Sequence, residues 1–165
     1  MDDFWQRARI AGGEIKDGET RYVVFRADVI ASIANGLPKE TKRQVLERFQ
    51  SAVQTNGGRS LKTYLEMIGN EHAALLDTVT DTAASLGWGE WDFSHSPEKL
   101  SLSVNNSPFA EFSDHQAEGY CAPILGMFSA VVATLFGDRD IRVAETQCAG
   151  KGASNCVFDM LIDIS

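Results

Sequence analysis

Three cysteines and one glutamate carry the clearest chemistry in this chain. Cys121, Cys148 and Cys156 are all of its cysteines, and Glu145 stands three residues before Cys148. Thiolates and a carboxylate are ligands for a divalent ion, and three sulfurs with one oxygen make a four-donor set suited to tetrahedral zinc. With every position taken by protein, no place is left for a reactive water, so such an ion would be structural rather than hydrolytic. Two other fates are open to the same residues. Free cysteine is among the most buried residue types, so three core cysteines would be ordinary. A Cys148–Cys156 disulfide across a hairpin is also compatible with the spacing.

The elements that must position these side chains are legible around them. From Ala122 to Phe136 almost every residue is apolar, with Pro123 near the start and Gly137 just past the end. Proline suits a first helical turn and glycine the position after the last, so the run predicts a helix buried on nearly every face. It is short for a membrane span, which needs about 20 residues. Asp138-Arg139-Asp140 reads as a turn, and Ile141 and Val143 alternate with Arg142 as in a strand. After the turn-forming run Ala149–Asn155, a second strand is expected from Cys156 through Val157, Phe158, Leu161 and Ile162. A hairpin then brings Cys148 beside Cys156, and the head of the buried helix can deliver Cys121.

Upstream, helices are expected in series. Asp28 can cap one bearing Val29, Ile30, Ile33 and Leu37; a second runs from Glu40 with Val45, Leu46, Phe49 and Val53, and Asn56-Gly57-Gly58 reads as its stop. Ser60 can cap a third, with Leu61, Tyr64, Leu65 and Ile68, and Asn70 a fourth, whose His72, Leu75, Leu76, Val79, Ala83 and Leu86 share a face. Arg21–Phe25 reads as a strand, Trp91 and Phe93 share a strand face, and Leu100, Leu102 and Val104 alternate with serines; His95-Ser96-Pro97-Glu98 is the turn between the last two. Residues 1–20, broken by Gly12-Gly13 and Asp17-Gly18, read as an arm or hairpin, and residues 21–165 as a single domain. The order of elements predicts an α+β fold: an antiparallel sheet covered by a helical layer, ending in a β-hairpin that zinc would pin.

Glu145-x-x-Cys148, seven residues, then Cys156-x-Phe158, preceded by Cys121 at the head of an apolar helix, resembles the 4-vinyl reductase domain. That module also serves as the ligand-sensing domain of phenol-responsive transcriptional activators. Val104-Asn105-Asn106-Ser107-Pro108-Phe109-Ala110-Glu111 is similar to the stretch that precedes the family's helix. The resemblance spans roughly Arg21 to Ile162 and is sharpest after Trp88. It implies zinc held by Cys121, Glu145, Cys148 and Cys156, and it implies a homodimer. The phenol sensors hold the phenolic hydroxyl with a histidine and a tryptophan, for which His72 and Trp91 are the candidates here.

An aromatic group, Trp88, Trp91, Phe93, Phe109 and Phe112, is able to line an apolar cavity, with the Trp91 indole and the His72 imidazole as its polar groups; the same aromatics would equally serve as core. His95 and His115 sit among polar residues and read as solvated. A formal charge of -8 argues against nucleic acid and against an anionic membrane surface as partners. Met1-Asp2-Asp3-Phe4-Trp5 opens with acids and does not read as a secretory signal, so with an odd number of cysteines a reducing cytoplasm is expected. Gly150-Lys151-Gly152 lacks the rest of a phosphate loop, Gly87-Trp88-Gly89 lacks the third glycine of a dinucleotide fingerprint, and no hydrolase motif occurs. The leading expectation is a cytoplasmic, zinc-stabilised module that binds a small hydrophobic or aromatic molecule near Trp91, with a sensory output through a separate protein. The alternatives are an enzyme or accessory factor in tetrapyrrole vinyl reduction and a scaffold protein of related fold.

Overall fold

Helices and strands alternate along the chain in the order the patterning requires. In the computed structural model, which describes residues 4–96, 98–111, 121–137 and 141–161, a short helix α1 (Phe4–Arg7) leads into strands β1 (Arg9–Ala11), β2 (Glu14–Asp17) and β3 (Thr20–Tyr22). Helices α2 (Ala27–Ser32), α3 (Lys39–Met67) and α4 (His72–Ser85) follow. Then come β4 (Glu90–His95), β5 (Leu100–Asn105), the short α5 (Pro108–Glu111), the apolar α6 (Ala122–Phe136), β6 (Arg142–Gln147), a single 3-10 turn at Ala149–Lys151, and β7 (Cys156–Leu161).

The main sheet is antiparallel throughout, in the order β4-β5-β7-β6. Its register aligns Trp91 with Val104 and Cys156, and Phe93 with Leu102 and Phe158. Alternation along a strand therefore sends Leu100, Leu102, Val104, Cys156, Phe158 and Met160 to one buried face. The helical layer covers that face: α4 packs against β4, while α6 lies between α3 and the β6–β7 side. The Phe128 and Phe158 rings meet there at a centroid distance of 6.4 Å. On the opposite face Asp159 accepts hydrogen bonds from Ser101 Oγ on β5 and Thr146 Oγ1 on β6, each 2.6 Å, and so ties three strands. Burial alone would raise the Asp159 pKa, but these two hydrogen bonds and Lys99 outweigh it and hold it below the ordinary carboxylate value.

Three sequence expectations need correction. Gly57-Gly58 does not end a helix; α3 runs unbroken for 29 residues. A Cβ on Gly57 would stand 2.6 Å from Met127 Sδ, and one on Gly126 would collide with the Gln50 carbonyl, so these glycines let α3 and α6 approach closely. The helix begun near Asp28 is a short one, Ala27–Ser32, and Val29 within it and Ile33 just after it are exposed. Arg21–Phe25 is not a strand of the main sheet: only Thr20–Tyr22 is a strand, and it belongs to a separate antiparallel meander β1-β2-β3. That meander occupies the region expected to be an arm or hairpin, and β3 straddles the boundary drawn at position 20.

The meander is docked on the core by a polar cluster. Arg7 Nη2 pairs with Asp17 Oδ2 at 3.2 Å, Tyr64 on α3 donates to the same oxygen at 3.5 Å, and the Arg7 guanidinium lies over the Tyr64 ring. Burial, together with the neighbouring Tyr64, pushes the Tyr22 hydroxyl well above its usual pKa. Trp5 Nε1 donates to the Ser85 carbonyl at the end of α4, at 2.9 Å.

Candidate metal centre and binding hollows

Cys121 is the residue immediately before α6, where Pro123 sets the first turn, and its side chain is fully buried. Its sulfur lies 3.5 Å from Cys156 Sγ at the start of β7 and 3.3 Å from Ser107 Oγ. The buried Cys148 follows the last residue of β6, and the chain turns sharply after it: its carbonyl accepts from the amides of Lys151 (3.0 Å) and Ala153 (3.3 Å). That turn aims the Ala149 amide at Cys156 Sγ, 3.3 Å away. An N–H donor on a sulfur favours its thiolate form.

The placement of Glu145 and Cys148 on one face depends on an irregularity. In a regular strand, residues three apart point to opposite faces. Here Glu145 pairs with Phe158 while Gln147 pairs with Val157, so Thr146 is an extra residue in β6. The bulge resets the alternation, and both Glu145 and Cys148 face the core side beside Cys156. Nothing in the sequence marks this bulge.

Donor atoms from Cys121, Glu145, Cys148 and Cys156 all lie within 4.8 Å of one another. Zinc–sulfur bonds of about 2.3 Å place tetrahedral sulfurs about 3.8 Å apart, close to the Cys121–Cys156 separation. Among the described residues Glu145 Oε1 is buried without a hydrogen-bond partner, an arrangement that costs free energy unless a cation or donor completes it. Burial first, and then Cys148, push the Glu145 carboxyl up to about 8. Hydrogen bonding to Cys148 and Cys156, and then burial, drive the Cys121 thiol strongly up. Hydrogen bonds from Cys121 and then Cys148, with the Ala149 amide, drive the Cys156 thiol down. Four acids this close keep some of their protons when no cation is present, and a dication is what would replace those protons. The donor set, its spacing and the orphaned oxygen fit a divalent metal. All three cysteines are free thiols, so no Cys148–Cys156 disulfide is present.

The aromatic residues expected around one cavity are divided. Trp91 is buried in the core, and its indole N–H is spent on the Trp88 carbonyl at 3.1 Å. Phe93 packs edge-on against it, with centroids 6.0 Å apart. Trp88 and Phe109 meet in a T-shaped contact at 5.4 Å and line a groove of about 320 Å³ between the core and the N-terminal segment. His72 is elsewhere, at the exposed start of α4, on a second hollow of about 500 Å³. Leu76 and Leu100 floor that hollow, Leu135 and Phe136 at the end of α6 form one side, and His95 lines it together with His72. The sequence reading puts His95 in a turn, but β4 continues through it. The two-residue period from Trp91 through Phe93 reaches His95 and is the signal that points there. Pro97, Phe112, His115, the turn at 138–140 and Ile162 lie outside the described residues.

No family model matches the chain, and no curated protein matches it. Among solved structures it is similar to the phenol-responsive sensory domain of the transcription activator PoxR, solved with phenol (TM-score 0.74, 16% identity, 95% of this chain and 85% of that one). It is also similar to a trafficking protein particle complex subunit 3 from Naegleria fowleri covalently bound to palmitic acid (TM-score 0.49, 14% identity, 81% and 93%). A third similarity is to a vinyl-4-reductase family protein from Methanocaldococcus jannaschii (TM-score 0.49, 13% identity, 82% and 89%). The first of these shows the fold: the chain has the architecture of that sensory domain, as the resemblance to the 4-vinyl reductase domain implied.

Proposed function

We propose that this chain is a cytoplasmic small-molecule-binding module of sensory type, held together by one structural zinc ion, with its output passed to a separate protein. The observation that carries the reading is the arrangement at the two ends of α6. At its head stands the Cys121–Glu145–Cys148–Cys156 cluster, and at its tail Leu135 and Phe136 wall the His72 hollow. A 15-residue helix spans about 22 Å between them. Zinc at the cluster would fix the helix against the β6–β7 hairpin and so fix the hollow's wall, taking no part in chemistry. Among the described residues no helix is long and apolar enough to cross a membrane.

The hollow suits a small aromatic molecule with one hydroxyl. Its leucine and phenylalanine floor takes a ring, and the His72 and His95 imidazoles that line it can exchange hydrogen bonds with a phenolic group. An engineered apolar cavity of about 150 Å³ admits benzene, so this hollow has room for a substituted ring. Similarity in fold to a phenol-responsive domain supports the same ligand class, while function itself rests on the site. Calorimetric titration of the zinc-loaded protein with phenol should give saturable binding. His72→Ala should weaken that binding at least tenfold. Unchanged affinity in the variant would move the ligand out of this hollow, and no binding at millimolar phenol would remove the phenolic class.

A further inference from the structure

Ser107 is buried, 4% exposed, and its hydroxyl lies 3.3 Å from Cys121 Sγ. The backbone holds it there from several sides. Strand β5 ends at Asn105, and Asn106 takes a left-handed conformation (φ 55°) that turns the chain ahead of Pro108 and α5. Gly89 sits against this turn: a Cβ there would stand 2.5 Å from the Asn105 carbonyl oxygen and 3.2 Å from that of Asn106. The Ser107 carbonyl accepts from the Ala110 amide at 3.2 Å, and α5 packs against the 3-10 turn that follows Cys148. A hydroxyl taken out of water costs free energy unless it is bonded, and alanine would fill nearly the same space without that cost.

We propose that Ser107 is a positioning residue of the metal centre: its hydroxyl donates to the Cys121 sulfur, orients that ligand and raises the site's affinity for a divalent metal. The inference rests on the metal reading above and adds to it a residue outside the ligand set. Charge is the first reason. Three thiolates and a carboxylate around one dication leave a net negative charge in a buried place. Among the described residues no lysine or arginine pairs with Glu145, and Arg142 and Lys151, which flank it in sequence, are exposed. The excess charge then falls to hydrogen-bond donors. The Ala149 amide serves Cys156 and the Ser107 hydroxyl serves Cys121, so the donors are spread over two sulfurs. Acceptor strength is the second reason. A neutral thiol accepts weakly, whereas a bond to an ionised acceptor is roughly twice as strong as a neutral one. A metal-bound cysteine is a thiolate. The Ser107 bond is therefore worth more with the metal in place than without it, and that difference is a contribution to metal affinity.

Cobalt(II) loaded into the full chain tests the proposal, because its thiolate charge-transfer band reports on the sulfur ligands directly. Competition with a chelator gives the affinity. Ser107→Ala should weaken cobalt binding at least tenfold, as loss of an outer-shell partner does. Its band should move to longer wavelength, since a sulfur without its donor gives up electron density more readily. The melting temperature of the metal-free variant should stay near that of the metal-free wild type, while that of the loaded variant falls. Ser107→Thr, which keeps the hydroxyl, should recover both affinity and band position. Wild-type affinity with an unmoved band in Ser107→Ala would overturn the assignment. So would equal falls in melting temperature with and without cobalt, which mark a packing role, and so would a Ser107→Thr that binds as weakly as the alanine variant. A wild type that takes up no cobalt would overturn the metal reading itself, whereas an unaffected Ser107→Ala would leave that reading standing.

Discussion

Cys148 is the ligand whose loss separates a metal centre from a cluster of core thiols. Replacing it with serine keeps the volume nearly constant but buries a hydroxyl, which without a metal costs only about 1–3 kcal/mol. If the sulfur holds zinc, the variant should lose its zinc and melt lower, by about 5–10 °C for a loss of a few kcal/mol in a domain of this size. Chelator treatment should lower the wild-type melting temperature by a similar amount and leave the variant's unchanged. Full zinc content in Cys148→Ser, measured by elemental analysis, would end the assignment. The residue types of this site were legible because three cysteines and a nearby glutamate are few enough to single out. Their convergence was only half legible: the hairpin predicted that Cys148 meets Cys156, but the shared face of Glu145 and Cys148 comes from the extra residue Thr146, and a bulge leaves no mark in composition or period. The indole of Trp91 was legible as aromatic and inward, yet its N–H is taken by a carbonyl three residues back, which only the turn geometry reveals.

Among elements, those defined by continuous or alternating apolar residues were readable. The α6 boundaries follow Pro123 and Gly137, and β5 follows its serine alternation. What misled was glycine, which serves both as a helix stop and as a contact point. In α3 it serves contact, and the two sites should respond differently to alanine. A Cβ on Gly126 meets the Gln50 backbone, which cannot give way without moving α3. A Cβ on Gly57 meets the flexible end of Met127, and alanine gains up to ~1 kcal/mol of helix propensity there. Gly126→Ala should therefore destabilise by about 1–3 kcal/mol, as overpacking does, while Gly57→Ala should be close to neutral. Urea melts would measure both. Equal gains at both positions would mean that they respond through propensity and not through helix spacing.

At the scale of the whole molecule, an antiparallel sheet under a helical layer followed from the order of elements, and a cluster of three cysteines and a glutamate in the C-terminal third followed from their spacing. The division into two hollows did not, because it depends on where the N-terminal meander docks, and that docking rests on polar groups far apart in sequence. Arg7, Asp17 and Tyr64 meet across two segments separated by most of α3, and no local period announces such a meeting. Docked through so small a polar cluster, the meander should open as a unit with its own stability. Asp17 accepts from both Arg7 and Tyr64, so Asp17→Ala leaves a half-buried guanidinium and a tyrosine hydroxyl without that partner. The loss should fall on docking alone: hydrogen exchange should quicken at least tenfold for the amides of β1–β3, while those of β5, β7 and α6 keep their wild-type protection. Such a pattern would also show that the Trp88–Phe109 groove opens independently of the His72 hollow, since only the groove has a wall built from the N-terminal segment. Acceleration spread evenly over the sheet and α6 would mean that meander and core unfold as one cooperative body, and the polar cluster would then be part of global stability instead of a local latch.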